Sequence, residues 1–299
     1  MLSGAAPRRD RAWDQGIDPA AFAAESFPPA GAADLSERDF KRIASLLYRV
    51  CGIDLQAGKQ PLVKARLWKR VRTLGYADYG EYIAFVESPA GMEELTGMVD
   101  ALTTNKTSFF RESRHFDFLR TQVREQVRHS RRVRIWSAGC SSGQEPYTLA
   151  ITLMECLNDS ERRDALILAT DISAPILAAA REGRYGEEEI EGLSRAQLQQ
   201  YFIPTKEEGR TRYAAGDELK KLVRFARLNL MATWPMQGPF DFIFCRNVMI
   251  YFDRATQQKL VARFHQILRP GGFLLVGHSE SLTGRAEGFT YVMPAVYRR

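Results

Sequence analysis

Apolar positions recur every three or four residues through the first third of the chain. Past residue 130 they give way to short apolar runs separated by helical patterns. The stretch "LSERDFKRIASLLYRV" sets Phe40, Ile43, Leu47 and Val50 on one stripe behind Ser36, a residue suited to capping, and predicts a helix. In "KQPLVKARLWKRVRTLG", Val63, Leu67, Val71 and Leu74 recur at helical spacing and Gly75 closes the segment, which predicts a second. Two shorter helical stretches follow near residues 78–88 and 91–103, and a longer helix is expected over about 113–129. The front of the chain therefore reads as all-helical.

Beyond it, "VRIWSAGC", "ALILATDIS", "LVRFARLNL", "FDFIFCRNVMIYF" and "GGFLLVGHSESL" each read as a strand followed by a turn, helix or insertion. Strands alternating with helices imply a parallel sheet built by crossovers. The segment "IEGLSRAQLQQYFIPTKEEGRTRYAAGDELKK" interrupts that rhythm between the second and third strands. Its Gly209 and Gly216, flanking Arg212 and Tyr213, predict a small hairpin-bearing insertion. Residues 1–33 are rich in Ala, Gly and Pro, lack a continuous apolar stretch and contain Asp10, Asp14, Asp18 and Glu25. They read as a flexible extension, not as a targeting peptide.

Composition narrows the class. A chain of 299 residues suits about two domains, and 45% hydrophobic with 26% charged residues is ordinary for a soluble protein. No apolar run approaches the roughly 18 residues of a membrane span. Cys51, Cys140, Cys156 and Cys245 lack CxxC spacing, so neither a zinc site nor a disulfide framework is suggested, and reduced cytosolic thiols are expected. With 42 Lys and Arg against 36 Asp and Glu, the net charge of +6 favours anionic partners without naming one.

In an open parallel sheet, ligands bind outside the carboxyl ends of the strands at the switch point, so residues closing the predicted strands are the candidate site. The first strand ends in "SAGCSSGQEPY", where Gly139 and Gly143 permit a tight turn and close backbone approach to a nucleoside-type ligand, and Glu145 begins the next helix. The spacing is GxxxG, unlike the GxGxxG of dinucleotide binders, and the Lys and Ser/Thr of a phosphate-binding loop are missing. Such a turn alone also serves strand-to-helix packing. The second strand ends at Asp171, where an acid either accepts from two ribose hydroxyls or caps "ISAPILAAAREG".

Taken in order, "LTTNKTSFFRE", "WSAGCSSGQEPYTLA", "LATDIS", "CRNVMIYFD" and "LRPGGFLLVGHSESL" resemble the chemotaxis protein-glutamate methyltransferases, the CheR family, from about residue 35 to the C-terminus. The resemblance implies a helical domain over 34–102, a linker over 103–115 that contributes to the active site, and a class I methyltransferase domain over 116–299. That domain has a Rossmann-like, mostly parallel sheet and a β-subdomain inserted at about 187–222. S-adenosylmethionine is the implied methyl donor, S-adenosylhomocysteine the product, receptor glutamates the substrate and the cytoplasm the location, with no metal. The resemblance implies donor contacts at Asn105, Thr107, Arg111, Gly139, Glu145, Asp171, Asn229 and Leu230, and at Cys245, Arg246 and Asn247, which open "CRNVMIYF". Arg111 and Tyr251 lie nearest the reaction, and Phe109 and Phe110 are expected to exclude water.

That chemistry needs little machinery. A glutamate with a reference pKa of about 4.3 is ionised at neutral pH, so no general base is required. His115 and His278 belong to no triad or metal pattern and read as structural. Arg111 has forked donors to orient a carboxylate, and Tyr251 offers a hydrogen bond or a ring face to a sulfonium.

Between Lys59 and Arg72 stand six basic residues and no acid. Within that run Lys59, Arg66, Lys69 and Arg70 are expected to dock the acidic helical region of a receptor, the plainer alternative being a solvated face. "IPTKEEGRT" holds one glycine where members of the family that grip a receptor's C-terminal pentapeptide carry a glycine-rich loop, so tether-free action is expected. An RNA methyltransferase is the second reading, supported by Arg120, Arg124, Arg128 and "RHSRRVR". Asn247 to Tyr251 lack the Asn/Asp-Pro-Pro-aromatic cradle of amine-directed enzymes, which argues against it. A non-catalytic module that keeps the cofactor fold is the third, disfavoured by the presence of Arg111 and Tyr251.

Overall fold

In the computed structural model, which describes residues 34–130, 132–207, 209–282 and 288–299, Ser36 accepts a hydrogen bond from Asp39 N at 3.0 Å and opens helix α1 (Glu37–Cys51). The extension read at residues 1–33 lies outside the described residues. Helix α1 buries Phe40, Ile43 and Leu47 as the stripe predicts, adds Leu46 and Cys51, and leaves Val50 half-buried. Helix α2 (Gln60–Thr73) starts on a proline-bearing first turn and buries Val63, Leu67 and Val71, while Leu74 sits past its end and is exposed. Helices α3 (Tyr79–Val86) and α4 (Met92–Leu102) complete the layer, whose shared core includes Tyr79, Tyr82, Met98 and Leu102.

The alternating half follows: α5 (Arg114–Gln126), β1 (Val133–Ala138), α6 (Gln144–Cys156), the short α7 (Asp159–Arg162), β2 (Ala165–Asp171) and α8 (Ala174–Glu182). Next come β3 (Arg184–Tyr185), α9 (Arg195–Tyr201), β4 (Phe202–Glu207), β5 (Arg210–Ala215), α10 (Asp217–Leu222) and β6 (Val223–Arg227). The chain ends with β7 (Phe240–Cys245), α11 (Arg254–Ile267), β8 (Leu268–Val276), β9 (Thr290–Met293) and β10 (Val296–Arg298).

The main sheet has the order β6-β2-β1-β7-β8-β10-β9. Its first five strands run parallel, with Ile135 of β1 set between Ile167 of β2 and Phe242 of β7. Burial on both faces explains why the central strands read as mainly apolar runs; every residue of β7 is buried, while edge strand β6 is buried only at Val223. One face packs on α5 and α6 through Phe116, Leu119, Leu149 and Phe244, and the other on α11 through Trp136, Leu260, Phe264 and Leu274. Winding reverses at β1, with β2 and β6 to one side and β7 and β8 to the other, so the switch point lies outside the carboxyl end of β1.

Two antiparallel strands at one side of the sheet, β10 beside β8 and β9 at the edge, escape the sequence reading because "TYVMPAVYRR" is short and broken by a proline. The insertion carries the expected hairpin, Phe202↔Ala215 through Glu207↔Arg210, but also takes in β3, so its sheet reaches back to Arg184, ahead of residue 187. A two-residue strand leaves no periodicity to read.

The helical layer docks beside the strand ends. Ile53 bridges Phe252, Asp54 N donates to Tyr251 O at 2.8 Å, and the Tyr48 hydroxyl donates to Asp253 Oδ2 at 2.6 Å. Gly52 caps α1 at φ +76°, and a Cβ there lies 2.9 Å from both Cγ and Sδ of Met231. Gly52→Ala is expected to lower the unfolding free energy by about 1–2 kcal/mol, the cost of a left-handed backbone for an L-residue. Urea titration checks this, and an unchanged midpoint contradicts it.

Candidate active site

After α4 the chain crosses the carboxyl ends of the sheet in an extended linker. Arg66 of α2 fastens its start, donating to Leu102 O at 2.8 Å, Thr103 O at 3.0 Å and Thr104 Oγ1 at 3.0 Å. Ser141, in the turn after β1, holds the middle by donating from Oγ to Asn105 O at 2.8 Å. Phe109 fastens the far end, its ring edge-on to Tyr185 and Phe202 of the small sheet at 5.0 and 5.5 Å. Phe110 N donates to Thr148 Oγ1 at 3.2 Å and its ring meets Phe116. The two phenylalanines are thus anchors packed in or against the core, and neither lines the cleft.

Arg111 sits between Phe110 at φ +50° and Glu112 at φ +56°, a left-handed backbone that bulky residues avoid. Of the five described non-glycine residues with positive φ, these two flank Arg111 and two others, Ser141 and Asn247, line the cleft. Strain is concentrated at this site, as in places built for function.

The linker roofs a cleft of about 140 Å³. Its walls bring together Asn105, Thr107, Arg111, Gly139, Glu145, Asp171, Asn229, Leu230, Arg246, Asn247 and Tyr251, with Lys59 at the margin. Gly139 has φ +87°, and a Cβ on it meets Val248 Cγ2 at 2.4 Å, so only glycine fits. Asp171 accepts from Ser141 N at 2.8 Å and Ser173 N at 3.0 Å. Burial pushes its carboxyl above the usual range, and these N–H groups offset part of that. Ser173, not Asp171, occupies the N-cap of α8, which corrects the capping alternative. The Asn229 side chain points away to α1, donating to Val50 O at 2.6 Å.

Cys245 does not line the cleft. Ending β7, it is fully buried in the core with Trp136, Leu260 and Leu274, and burial lifts its thiol well above the ordinary value. Along a strand, side chains alternate faces, so it is the next residue, Arg246, that turns to the site. The Arg246 side chain is 2% exposed and donates to Glu145 Oε2 at 3.2 Å, to Glu112 Oε2 at 3.1 Å and to the Arg111 carbonyl. Glu145 accepts in addition from Ser137 Oγ at 2.6 Å; burial pushes its carboxyl up against the pull of Arg246. Burial also acts on Glu112, but the Arg246 charge and the His278 N–H outweigh it and hold that carboxyl below the usual range.

Glu112 and Glu280 went unread in the sequence. Glu280 accepts from Gly277 N at 2.6 Å, Asn247 N at 2.7 Å and Ile250 N at 3.1 Å, shaping the turn that carries Tyr251. The available signal was an acid just past an apolar strand in "VGHSESL", and for Glu112 an acid adjoining Arg111. The Tyr251 hydroxyl makes a long bond, 3.5 Å, to Thr104 O. Burial raises its pKa, which Thr104, Arg66 and Arg111 partly oppose.

The expected docking face is also corrected. Arg66 is committed to the linker, and Arg70 makes a two-pronged pair with Glu94 at 2.6 Å on each prong, Glu94 also accepting from the Tyr82 hydroxyl. Lys69 and Arg72 are the exposed cations of α2. Behind Arg246, the rings of His115 and His278 meet edge-on at 5.2 Å. His115 is fully buried, and burial together with the Arg246 charge pushes its pKa down to about 4.

A mostly parallel sheet wound in this order, with its cleft at the switch point beneath a linker from a helical layer, defines a class I methyltransferase fold preceded by an all-helical domain. Residues 105–297 match the CheR methyltransferase SAM-binding domain, and residues 38–103 match the CheR methyltransferase all-alpha domain. A probable chemotaxis protein methyltransferase of Rhizobium etli is 45% identical over 246 residues, spanning 81% of this chain and 92% of the relative. The chemotaxis protein methyltransferase of Escherichia coli is 42% identical over 88% of this chain and 91% of its own length. That of Borreliella burgdorferi is 39% identical over 89% and 95%. The chain belongs to the CheR methyltransferase family, and it is an enzyme whose methyl donor is S-adenosylmethionine.

His115 makes stability depend on pH. Its folded pKa of about 4 lies below the ordinary histidine value of 6.5, so as pH falls the unfolded chain takes up the proton first and stability is lost through that window. Between pH 7 and pH 5 the wild type is expected to lose more stability than His115→Gln in urea titrations, and equal losses contradict the assignment.

Proposed function

We propose that the enzyme methylates glutamate side chains on the cytoplasmic, acidic helical region of chemoreceptors, giving methyl esters, and that Arg111 and Tyr251 guide the reacting carboxylate. The observation that carries this reading is the convergence of Arg111, Tyr251 and Asp171 on one cleft roofed by the linker. The donor set suits the methyl donor. Asp171 has lone pairs beyond those taken by Ser141 N and Ser173 N for a ribose diol, and Ile172 and Leu230 offer apolar walls beside it. Asn105, Thr107, Glu145 and Asn247 supply further polar contacts around the same space. When bound, S-adenosylmethionine supplies a methyl carbon on a sulfonium, open to direct displacement.

The protein's part is to desolvate and aim. An ionised glutamate needs no base. Tyr251, its pKa raised chiefly by burial, keeps its proton at neutral pH and serves as a donor. Arg111 presents its guanidinium beside the Lys106 carbonyl, to which Nη1 donates at 3.0 Å, so it directs an incoming carboxylate without fully neutralising it. Holding reactants in line beneath a closed roof is worth several kcal/mol of barrier.

Receptor docking falls to Lys69 and Arg72 on α2, with Lys59 at the cleft margin, in place of Arg66 and Arg70. The β4–β5 hairpin turns at Gly209, with Glu208 outside the described residues, and we retain action without a tethered pentapeptide. A cytoplasmic location accords with the absence, among the described residues, of any helix long and apolar enough to cross a membrane. The RNA reading is weakened because Arg120 pairs with Asp117 and Glu155, and Arg128 with Glu125; Arg131 lies outside the described residues.

Methyl-labelled donor offered to receptor membranes and to total RNA is expected to label the membranes alone, in a form released by base as methanol. Labelled RNA, or base-stable label, overturns the reading. Lys69→Glu/Arg72→Glu is expected to raise the receptor KM about threefold to tenfold at low salt, less at high salt, without changing the affinity for S-adenosylhomocysteine. Unchanged receptor kinetics reject the docking face.

A further inference from the structure

Between the linker and the ends of β7 and β8 lies a polar cluster that runs from buried His115 and Arg246 through half-buried Glu112 to exposed His278, and that the proposed chemistry does not use. Glu112 is its hub. Its Oε1 accepts from His278 N at 3.2 Å, and its Oε2 accepts from Arg246 Nη2 at 3.1 Å and Nε at 3.4 Å. His115 Nδ1 lies 3.5 Å from the same Oε2. Glu112, His115 and His278 are metal-ligating types whose candidate atoms fall within 4.8 Å of one another. A cation there must share its only carboxylate with the buried guanidinium of Arg246, which repels it. The cluster suits a different task.

We propose that Glu112 is a positioning residue for the methyl transfer, setting the direction of Arg111 through Arg246 and the His278 amide. The inference rests on the reading of Arg111 as the residue that guides the reacting carboxylate. Arg111 is aimed by its own backbone, and that backbone is held twice on its C-terminal side. Its carbonyl is taken by Arg246, and the residue after it is kept in a left-handed conformation at φ +56°. A non-glycine residue stays in that conformation only when its surroundings over-determine it. Here the over-determination comes from one carboxylate that ties the linker to the ends of two strands at once. Arg246, in turn, is fixed between two carboxylates, Glu112 and Glu145, and has little freedom to follow a displaced linker. Removing the Glu112 carboxylate frees the 111–112 backbone while leaving Asp171 and the β2 end of the cleft untouched.

The test is a double-mutant cycle on the full chain, with methyl transfer to receptor-bearing membranes and calorimetry of S-adenosylhomocysteine as readouts. Arg111→Ala and Glu112→Ala are each expected to lower kcat on the order of a hundredfold, the scale of a misplaced guiding group. Receptor KM should stay within about threefold. The double variant is expected to fall within about threefold of Arg111→Ala alone, because both substitutions remove the same aimed guanidinium. Glu112→Gln keeps one acceptor oxygen, enough for the His278 N–H or for Arg246 but not for both, and is expected to recover kcat only in part, about threefold to tenfold over Glu112→Ala. If Glu112→Ala does not fold, Glu112→Gln with Arg111→Ala runs the same cycle. Wild-type kcat in a Glu112 variant, or losses that multiply in the double variant while Arg111→Ala is itself impaired, overturn the positioning role alone. A near-normal Arg111→Ala enzyme overturns the reading of Arg111, and the inference with it.

Discussion

An extended segment laid across the open ends of a parallel sheet has few ladder partners for its backbone, and the site depends on how this one is held. Two arginines carry the largest share. Arg66, from the helical layer, takes three acceptors where the linker leaves α4, and Arg246, from the end of β7, takes the Arg111 carbonyl where the linker ends. Between them Ser141 takes the Asn105 carbonyl, and beyond them Phe109 is locked among the rings of the small sheet. Hydrogen bonds to charged donors are worth about 1.5–3 kcal/mol each, enough to hold a strained segment in one place. Because the clasps come from the helical layer, the main sheet and the insertion, all three parts of the molecule fix one roof.

Electrostatics around the cleft follow from the same geometry. Asp171, Glu145 and Glu280 are buried acids whose pKa values burial raises, and each is met by backbone N–H groups, a hydroxyl or Arg246 that offset part of the cost. The basic side chains that remain near the opening are the ones expected to meet a carboxylate. Among the described residues the cleft wall carries no histidine, which suits a nucleophile that arrives already ionised. His115 and His278 stand behind Arg246, removed from the opening.

Periodicity made the fold legible. The stripes of α1 and α2 and the short, mainly apolar runs of the parallel strands mark elements buried on one face or on both. Once the strand order is inferred, the switch point follows, and so does the list of turns that border it. What stayed hidden were choices that only packing makes. Cys245 and Arg246 are neighbours in "CRN", but strand alternation sends one into the core and the other to the site. Arg66 and Arg70 look like a solvent-facing pair until the linker and Glu94 claim them. Phe109 and Phe110 read only as water-excluding residues, and their aromatic partners in the small sheet and α5 come from packing alone. Glu112 and Glu280 act on backbone amides far away in sequence, a role with no local pattern. The strands β3, β9 and β10 are too short or too interrupted to register.

The measurement that bears most directly on the roofed cleft is a crystal structure of the full chain with S-adenosylhomocysteine. The expected result places the ribose within hydrogen-bond reach of Asp171, the linker closed over it, and Arg111 facing the sulfur. A ligand bound elsewhere, or a linker lifted from Arg66 and Arg246 with Arg111 turned into solvent, contradicts it.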